Sequence, residues 1–115
     1  MKTKTSNKKN VLVYGAGEAG RQLINSLKTN SKYKVVGIID DNNKLTNKIL
    51  LGIRIHSPSN LKKTALIKNV KLVFLAIPSI GRIRRNKIIK KLSKFKLVVK
   101  SLPSVSQIID GRVTI

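Results

Sequence analysis

Short apolar runs alternate with longer amphipathic stretches along most of the chain. The apolar runs predict five strands, at residues 10–15, 34–39, 50–55, 71–77 and 96–99. The second of them is nearly all apolar, which is typical of a parallel strand that is covered on both sides. The stretches between them predict helices at 18–29, from Ser57–Ser59 onward, and at 81–94.

The apolar spacing within the helical stretches predicts which side of each helix faces the core. The expected inward residues are Ala19, Leu23 and Leu27, then Leu61, Ala65 and Leu66, then Ile88, Leu92 and Phe95. Ser57 or Ser59 is the expected N-cap of the second helix, and residues 105–109 are expected to form a short helix near the end.

This alternation of strands and helices predicts an α/β domain with a doubly wound parallel sheet, Rossmann-like in class. We expect about five strands that are joined by right-handed crossovers in the order 3-2-1-4-5. At 115 residues the chain has room for one domain, which we place at 10–115 after a flexible basic lead-in at 1–9, and is too short for a two-domain dehydrogenase.

A glycine-rich loop lies between the first strand and the first helix, with Gly15, Gly17 and Gly20 in the spacing GxGxxG. Asp40 follows at the end of the second strand, which completes the dinucleotide-binding fingerprint. Gly15 permits the tight turn, Gly17 lets the backbone approach a diphosphate, and Gly20 lets the helix pack closely. The alternative is a loop that is kept for packing alone.

Ligands of such sheets bind where the strand order reverses, between strands 1 and 4. The predicted cofactor-binding residues therefore come from the glycine loop, the end of strand 2 and the loop after strand 4, namely Gly15, Gly17, Glu18, Ala19, Gly20, Asp40, Asp41, Ile77, Pro78, Ser79 and Arg82. A carboxylate at position 40 favours NAD over NADP, although Asp40 is equally well explained as a turn residue. Arg84 and Arg85 are interpreted as solvated.

The residue inventory leaves no catalytic site. There is no cysteine, four acidic residues offer no carboxylate pair for acid/base work, and neither tyrosine is followed four residues later by a lysine. His56 lacks a nearby acidic or histidine partner and is interpreted as a surface turn residue. We expect no catalytic residue and no metal ligand in this chain.

The net charge of +21 would attract nucleic acid or an anionic membrane. The 25 basic residues are nevertheless dispersed along the sequence, and only four aromatic residues are present for base stacking. A compositional bias toward lysine is therefore the favoured explanation of the charge, and nucleic acid is disfavoured as a partner.

Several of these segments together resemble one family, the N-terminal Rossmann domain of bacterial membrane-anchored nucleoside-diphosphate-sugar epimerase/4,6-dehydratase proteins of polysaccharide biosynthesis. The resemblance lies in residues 11–23, 36–41, 75–79, 102–104 and 110–113. It implies the accessory nucleotide-binding domain of a longer protein, either excised or from a truncated reading frame. The family's catalytic short-chain dehydrogenase domain and its membrane helices are absent from this sequence.

The resemblance implies a cytoplasmic domain at the inner face of the cell membrane, with NAD or another nucleotide as cofactor. Its expected partner is a catalytic short-chain dehydrogenase domain or chain, and a second copy of the chain or a membrane surface are further candidates. Two other classes of function stay open, a free-standing redox- or nucleotide-sensing module and a basic adaptor for nucleic acid or anionic membrane.

Overall fold

A computed structural model describes residues 7–101 of the chain. Its elements in chain order are β1 (Lys9–Tyr14), α1 (Glu18–Lys28), β2 (Tyr33–Ile39), β3 (Ile49–Leu50), β4 (Ile53–His56), α2 (Leu61–Ile67), β5 (Leu72–Leu75), α3 (Arg82–Lys94) and β6 (Val98–Ser101). The predicted helix at 105–109, most of the lead-in and the last two segments of the family resemblance lie outside the described residues.

The strands form one six-stranded sheet in the order β3-β4-β2-β1-β5-β6. All neighbouring strands are parallel except β3 and β4, which are antiparallel. The five parallel strands therefore confirm the predicted doubly wound sheet and its order 3-2-1-4-5. The strand count is higher by one because the predicted third strand is a hairpin.

That hairpin corrects the prediction of a continuous strand over 50–55. Ile49 pairs with Arg54 and Leu50 with Ile53, which leaves a two-residue turn at Leu51 and Gly52. Both turn residues have positive φ, 53° and 82°, as a type I′ hairpin turn requires. The apolar side chain of Leu51 hides this turn from sequence reasoning, although Gly52 was a signal for it.

Helices cover both faces of the sheet, and β1 lies at its centre with Val11, Leu12 and Val13 fully buried. Ile24 and Leu27 of α1 pack on one face. Leu61 of α2 and Leu92 of α3 pack on the other. Burial of β1 between these two layers explains why residues 11–14 are all apolar or aromatic.

The structure refines three local predictions about the helices, of which the inward position of Leu66 is wrong. Leu66 is 80% exposed, and Thr64 is buried on the inner face of α2 instead. In α1 the predicted Ala19 and Leu23 are partly buried and pack against the core, Leu27 is buried as predicted, and Ile24 is a buried residue that was not predicted. Ser57 is the N-cap residue of a short 3-10 turn, Pro58–Asn60, that leads into α2, but its side chain caps no backbone N–H group. Its hydroxyl group bonds to that of Ser59 at 2.8 Å.

His56 is the last residue of β4 and is half-buried, which corrects its interpretation as a surface turn residue. Its Nε2 atom is buried and has no hydrogen-bond partner among the described residues. Burial, followed by the nearby cations Arg54 and Lys68, lowers the pKa of His56 below its ordinary value of 6.5.

This lowered pKa predicts loss of stability in acid. Since the unfolded chain takes up a proton near pH 6.5 and the folded chain resists it, the free energy of unfolding should fall as pH drops below 6.5. Urea denaturation across this pH range measures the effect. The variant His56→Gln should lack this part of the pH dependence, and an identical profile in both proteins would contradict the assignment to His56.

Candidate functional site

A cleft of about 620 Å³ opens at the carboxyl edge of the sheet, where the strand order reverses between β1 and β5. Three segments line it: the loop after β1, the loop after β2 and the loop after β5. The lining residues are Gly15, Gly17, Glu18, Ala19, Asp40, Asp41, Asn42, Ala76, Ile77, Pro78, Ser79 and Arg84. The cleft therefore brings together nine of the eleven predicted site residues.

Two of the glycines serve the packing of the loop itself. Gly15 adopts a φ of +126°, and a Cβ atom there would lie 2.6 Å from the carbonyl oxygen of Ala76. A Cβ atom on Gly20 would overlap the carbonyl oxygen of Gly15. Gly20 thus lies beneath the loop rather than in the cleft, as its predicted role in close helix packing requires.

Gly17 differs from both because the fold does not require a glycine there. Its φ of −84° is open to any residue, and a Cβ atom on it would meet nothing within 4 Å. It faces the cleft as the N-cap residue of α1. A side chain at position 17 would therefore occupy space in the cleft that the described residues leave empty.

The same turn presents backbone donors to the cleft. Among residues 7–101, the N–H groups of Gly17, Glu18 and Ala19 donate to no acceptor. A helix N-terminus combines such donors with a partial positive charge, which suits a phosphate group. The carboxylate of Glu18 belongs to the same turn and accepts a hydrogen bond from the side-chain amide of Gln22 at 2.9 Å.

Asp40 ties the glycine loop to the end of β2. One carboxylate oxygen accepts from the N–H of Ala16 and the other from the N–H of Asn42, both at 2.8 Å. The adjacent loop and strand are also joined directly, because the N–H of Gly15 donates to the carbonyl of Ile39 at 2.7 Å. Asp40 therefore acts as the turn residue that the sequence suggested while also lining the cleft.

Asp41 connects two residues that sequence reasoning did not place in the site. The hydroxyl of Tyr14 donates to Asp41 at 2.7 Å, and Arg84 forms an ion pair with the same carboxylate. Burial raises the pKa of Tyr14 above its ordinary value of 10.0. The charge of Arg84 lowers the pKa by a smaller amount, and the charge of Asp40 raises it slightly. The phenol is therefore neutral at physiological pH and acts as a hydrogen-bond donor.

Arg82, the predicted cation of the site, does not line the cleft, whereas Arg84 does. The local sequence does not distinguish Arg82 from Arg84, since the ion pair that holds Arg84 at the cleft is made with Asp41, 43 positions away. Asn42 and Ala76 were also missed, although each adjoins a predicted segment.

All three acidic residues of the described chain line the cleft. The residues are Glu18, Asp40 and Asp41, and the fourth acidic residue, Asp110, lies outside the described residues.

Within residues 7–101 no group of three or more potential metal ligands occurs. In the same range no helix has the length and apolar character needed to span a membrane.

The fold and the cleft define a Rossmann-like α/β domain of the nucleotide-binding class of folds. The model of the C2185-like N-terminal family matches residues 7–66, more than half of the chain, so the protein belongs to this family. No curated protein sequence matches the chain significantly.

Solved structures agree with this assignment. UDP-D-quinovosamine 4-dehydrogenase from Vibrio fischeri is 33% identical, with a TM-score of 0.85 over 93% of this chain and 88% of that chain. A Rex-family repressor, RSP, solved with β-NADH, is 13% identical, with a TM-score of 0.71 over 94% of this chain and 60% of its own.

A more distant match is perosamine N-acetyltransferase from Caulobacter crescentus, solved with coenzyme A and GDP-perosamine. It is 20% identical, with a TM-score of 0.60 over 76% of this chain and 39% of its own. At these identities the repressor and the acetyltransferase establish likeness of fold only.

Proposed function

We propose that this chain binds a nucleotide of the NAD type in the cleft between β1 and β5. The observation that carries the proposal is Gly17, whose missing side chain leaves space over unpaired backbone donors although the fold would accept a larger residue. In this arrangement the turn from Gly17 to Ala19 holds the diphosphate. Asp40 faces the ribose, and Ile77, Pro78 and Ser79 form the opposite wall.

The negative charge of the cleft supports NAD over NADP. A 2′-phosphate would add about two negative charges near Asp40, and each pair of like unit charges at contact distance costs about 1 kcal/mol even in water. Asp41 contributes less to this repulsion, because Arg84 pairs with it. When bound, NAD would supply a hydride acceptor. The residues of this chain would bind and orient it.

Titration calorimetry with the full chain tests this preference. We expect NAD to bind at least about tenfold more tightly than NADP, with coenzyme A and UDP-sugars as comparison ligands. If no dinucleotide binds at millimolar concentration, the loop serves packing alone and the proposal fails. If NADP binds as well as NAD, nucleotide binding stands but the role given to the carboxylates is wrong.

The wider role that we propose is an accessory nucleotide-binding domain in the conversion of nucleoside-diphosphate sugars for polysaccharide biosynthesis. The relationship to a UDP-D-quinovosamine 4-dehydrogenase supports the sugar-nucleotide part. A catalytic short-chain dehydrogenase domain or chain is the proposed partner. The membrane-anchored setting, the cytoplasmic location and a homo-oligomeric state stay predictions.

A second candidate is oxidation of a sugar nucleotide by this chain itself, which is favoured by the dehydrogenase activity for which the Vibrio relative is named and by its similar length. Incubation of the purified chain with NAD and UDP-quinovosamine, followed by NADH absorbance, separates the two roles. Binding without turnover supports the accessory role. Steady turnover that is lost in a cleft variant supports the second candidate.

A further inference from the structure

The basic residues are unevenly divided between the two helical layers, which the linear sequence does not reveal. The α2–α3 layer, formed by Leu61–Ile67 and Arg82–Lys94, carries nine lysines and arginines and no acidic residue. The opposite layer, α1, carries two basic residues and Glu18. Nine of the 22 basic residues at 7–101 thus lie on this one layer, without a carboxylate among them.

The outward side of α3 is a defined stripe within this face. Ile83, Lys87, Lys90 and Lys94 follow the i, i+4, i+7, i+11 spacing of one helix face, opposite to buried Leu92. All four are exposed. Their positive charge has no carboxylate nearby in sequence, since none occurs from Asn42 to Ser101.

Large aliphatic side chains are exposed on the same layer. Leu66 and Ile67 of α2 are 80% and 70% exposed, and Ile83 of α3 is 75% exposed. They lie on the outer sides of their helices, away from Leu61 and Leu92 in the core. Cationic side chains mixed with exposed aliphatic ones are the composition of surfaces that bind at the headgroup level of a bilayer.

Three of the four aromatic residues lie away from this outer surface. Tyr14 and Phe74 are buried in the sheet, and Tyr33 packs edge-on against Phe74. Phe95 is half-buried, with the Lys62 ammonium 5.4 Å from its ring centre. A surface that binds single-stranded nucleic acid would instead present aromatic rings for base stacking.

We propose that the outer side of the α2–α3 layer docks on an anionic lipid bilayer. The lysines of α3 would lie at the headgroups, while Ile83, Leu66 and Ile67 enter the interface. The nucleotide cleft lies at the carboxyl edge of the sheet, beside the layer rather than beneath it. Docking therefore leaves the cleft open to solvent and does not depend on a bound nucleotide.

Vesicle flotation with the full chain tests this docking at physiological ionic strength. The chain should float with vesicles of phosphatidylcholine mixed with phosphatidylglycerol and not with phosphatidylcholine alone. The variant Lys87→Ser/Lys90→Ser/Lys94→Ser should bind about a hundredfold more weakly, since each lysine near an anionic surface contributes roughly fivefold. These side chains are exposed, so the melting temperature should be unchanged.

A matched control removes three lysines from the far end of the sheet. Lys8→Ser/Lys9→Ser/Lys34→Ser has the same net charge as the α3 variant but alters a separate groove at the amino ends of the strands. Its binding should fall much less. Equal losses in both variants would mean that diffuse charge drives binding, which overturns a defined docking face.

The aliphatic part has its own test. Ile83→Ser should weaken binding most at high salt, where electrostatic attraction is screened, and no effect at any salt would remove the aliphatic residues from the interface. Tight duplex DNA binding that persists at physiological salt and is lost in the α3 variant would assign this face to nucleic acid and overturn the proposal. Absence of flotation with anionic vesicles would also overturn it.

Discussion

Replacement of Gly17 by valine should abolish nucleotide binding while leaving the domain folded. The φ of −84° at Gly17 is accessible to valine, and a Cβ atom meets no neighbour within 4 Å. The new side chain would instead fill the space where a diphosphate must approach the backbone donors. We expect binding of NAD to weaken at least about a hundredfold, the equivalent of about 2.7 kcal/mol.

The structure offers a matched control for this variant in Gly81. It is also the N-cap of a helix, with a φ of −69° and open space around a Cβ atom, but it does not line the cleft. Gly81→Val should lose the same small N-cap contribution of at most about 1 kcal/mol and keep full affinity. Calorimetry and thermal melts of both variants give the comparison. Unchanged affinity in Gly17→Val would remove the glycine loop from the binding site.

Replacement of Gly20, the last glycine of the GxGxxG motif, should have the opposite effect and destabilise the fold. Alanine is a better helix former than glycine by about 1 kcal/mol, so helix propensity alone predicts that Gly20→Ala stabilises α1. The added Cβ atom would overlap the carbonyl oxygen of Gly15, and backbone cannot yield as a flexible side chain can. We expect a loss of about 3 kcal/mol or more in the free energy of unfolding.

Thermal denaturation provides the readout, because about 3 kcal/mol corresponds to a fall of roughly 12–24 °C in the melting temperature of a domain of this size. Gly17→Ala is the control, since it adds the same methyl group to the same loop without a contact. A Gly20→Ala protein that melts at or above the wild-type temperature would show that α1 can move away from Gly15 at little cost.

The sequence was sufficient to predict the parallel part of the sheet because its signals are local and redundant. Burial on both faces makes residues 11–14 of β1 and all of β5 apolar, and the glycine loop and Asp40 mark the ends of the first two strands. The hairpin was missed because Leu51 adopts a positive φ that a leucine does not signal. Its partly buried side chain packs on the α1 side of the core, which offsets that cost.

The candidate site was predictable where it depends on backbone shape and not where it depends on contacts between distant side chains. Glycines report the geometry of their own loop, so Gly15, Gly17 and Gly20 have the predicted positions. The pairing of Arg84 with Asp41 depends on the angle at which α3 leaves β5, and the bond from Tyr14 to Asp41 depends on the register of β1 against β2. No local pattern encodes either. The exposure of Leu66 likewise depends on how α2 rotates on the sheet.

The two hydrogen bonds of Asp40 have a consequence for how ligand fragments would bind. One carboxylate holds the loop that would face a diphosphate in the proposed complex, and it also lines the region that would face a ribose. A hydroxyl group that draws on this carboxylate competes for an oxygen that already restrains Ala16. The two halves of the cleft are thus one coupled unit, in which the affinities of separate fragments need not be additive, as is typical of groups that share a partner.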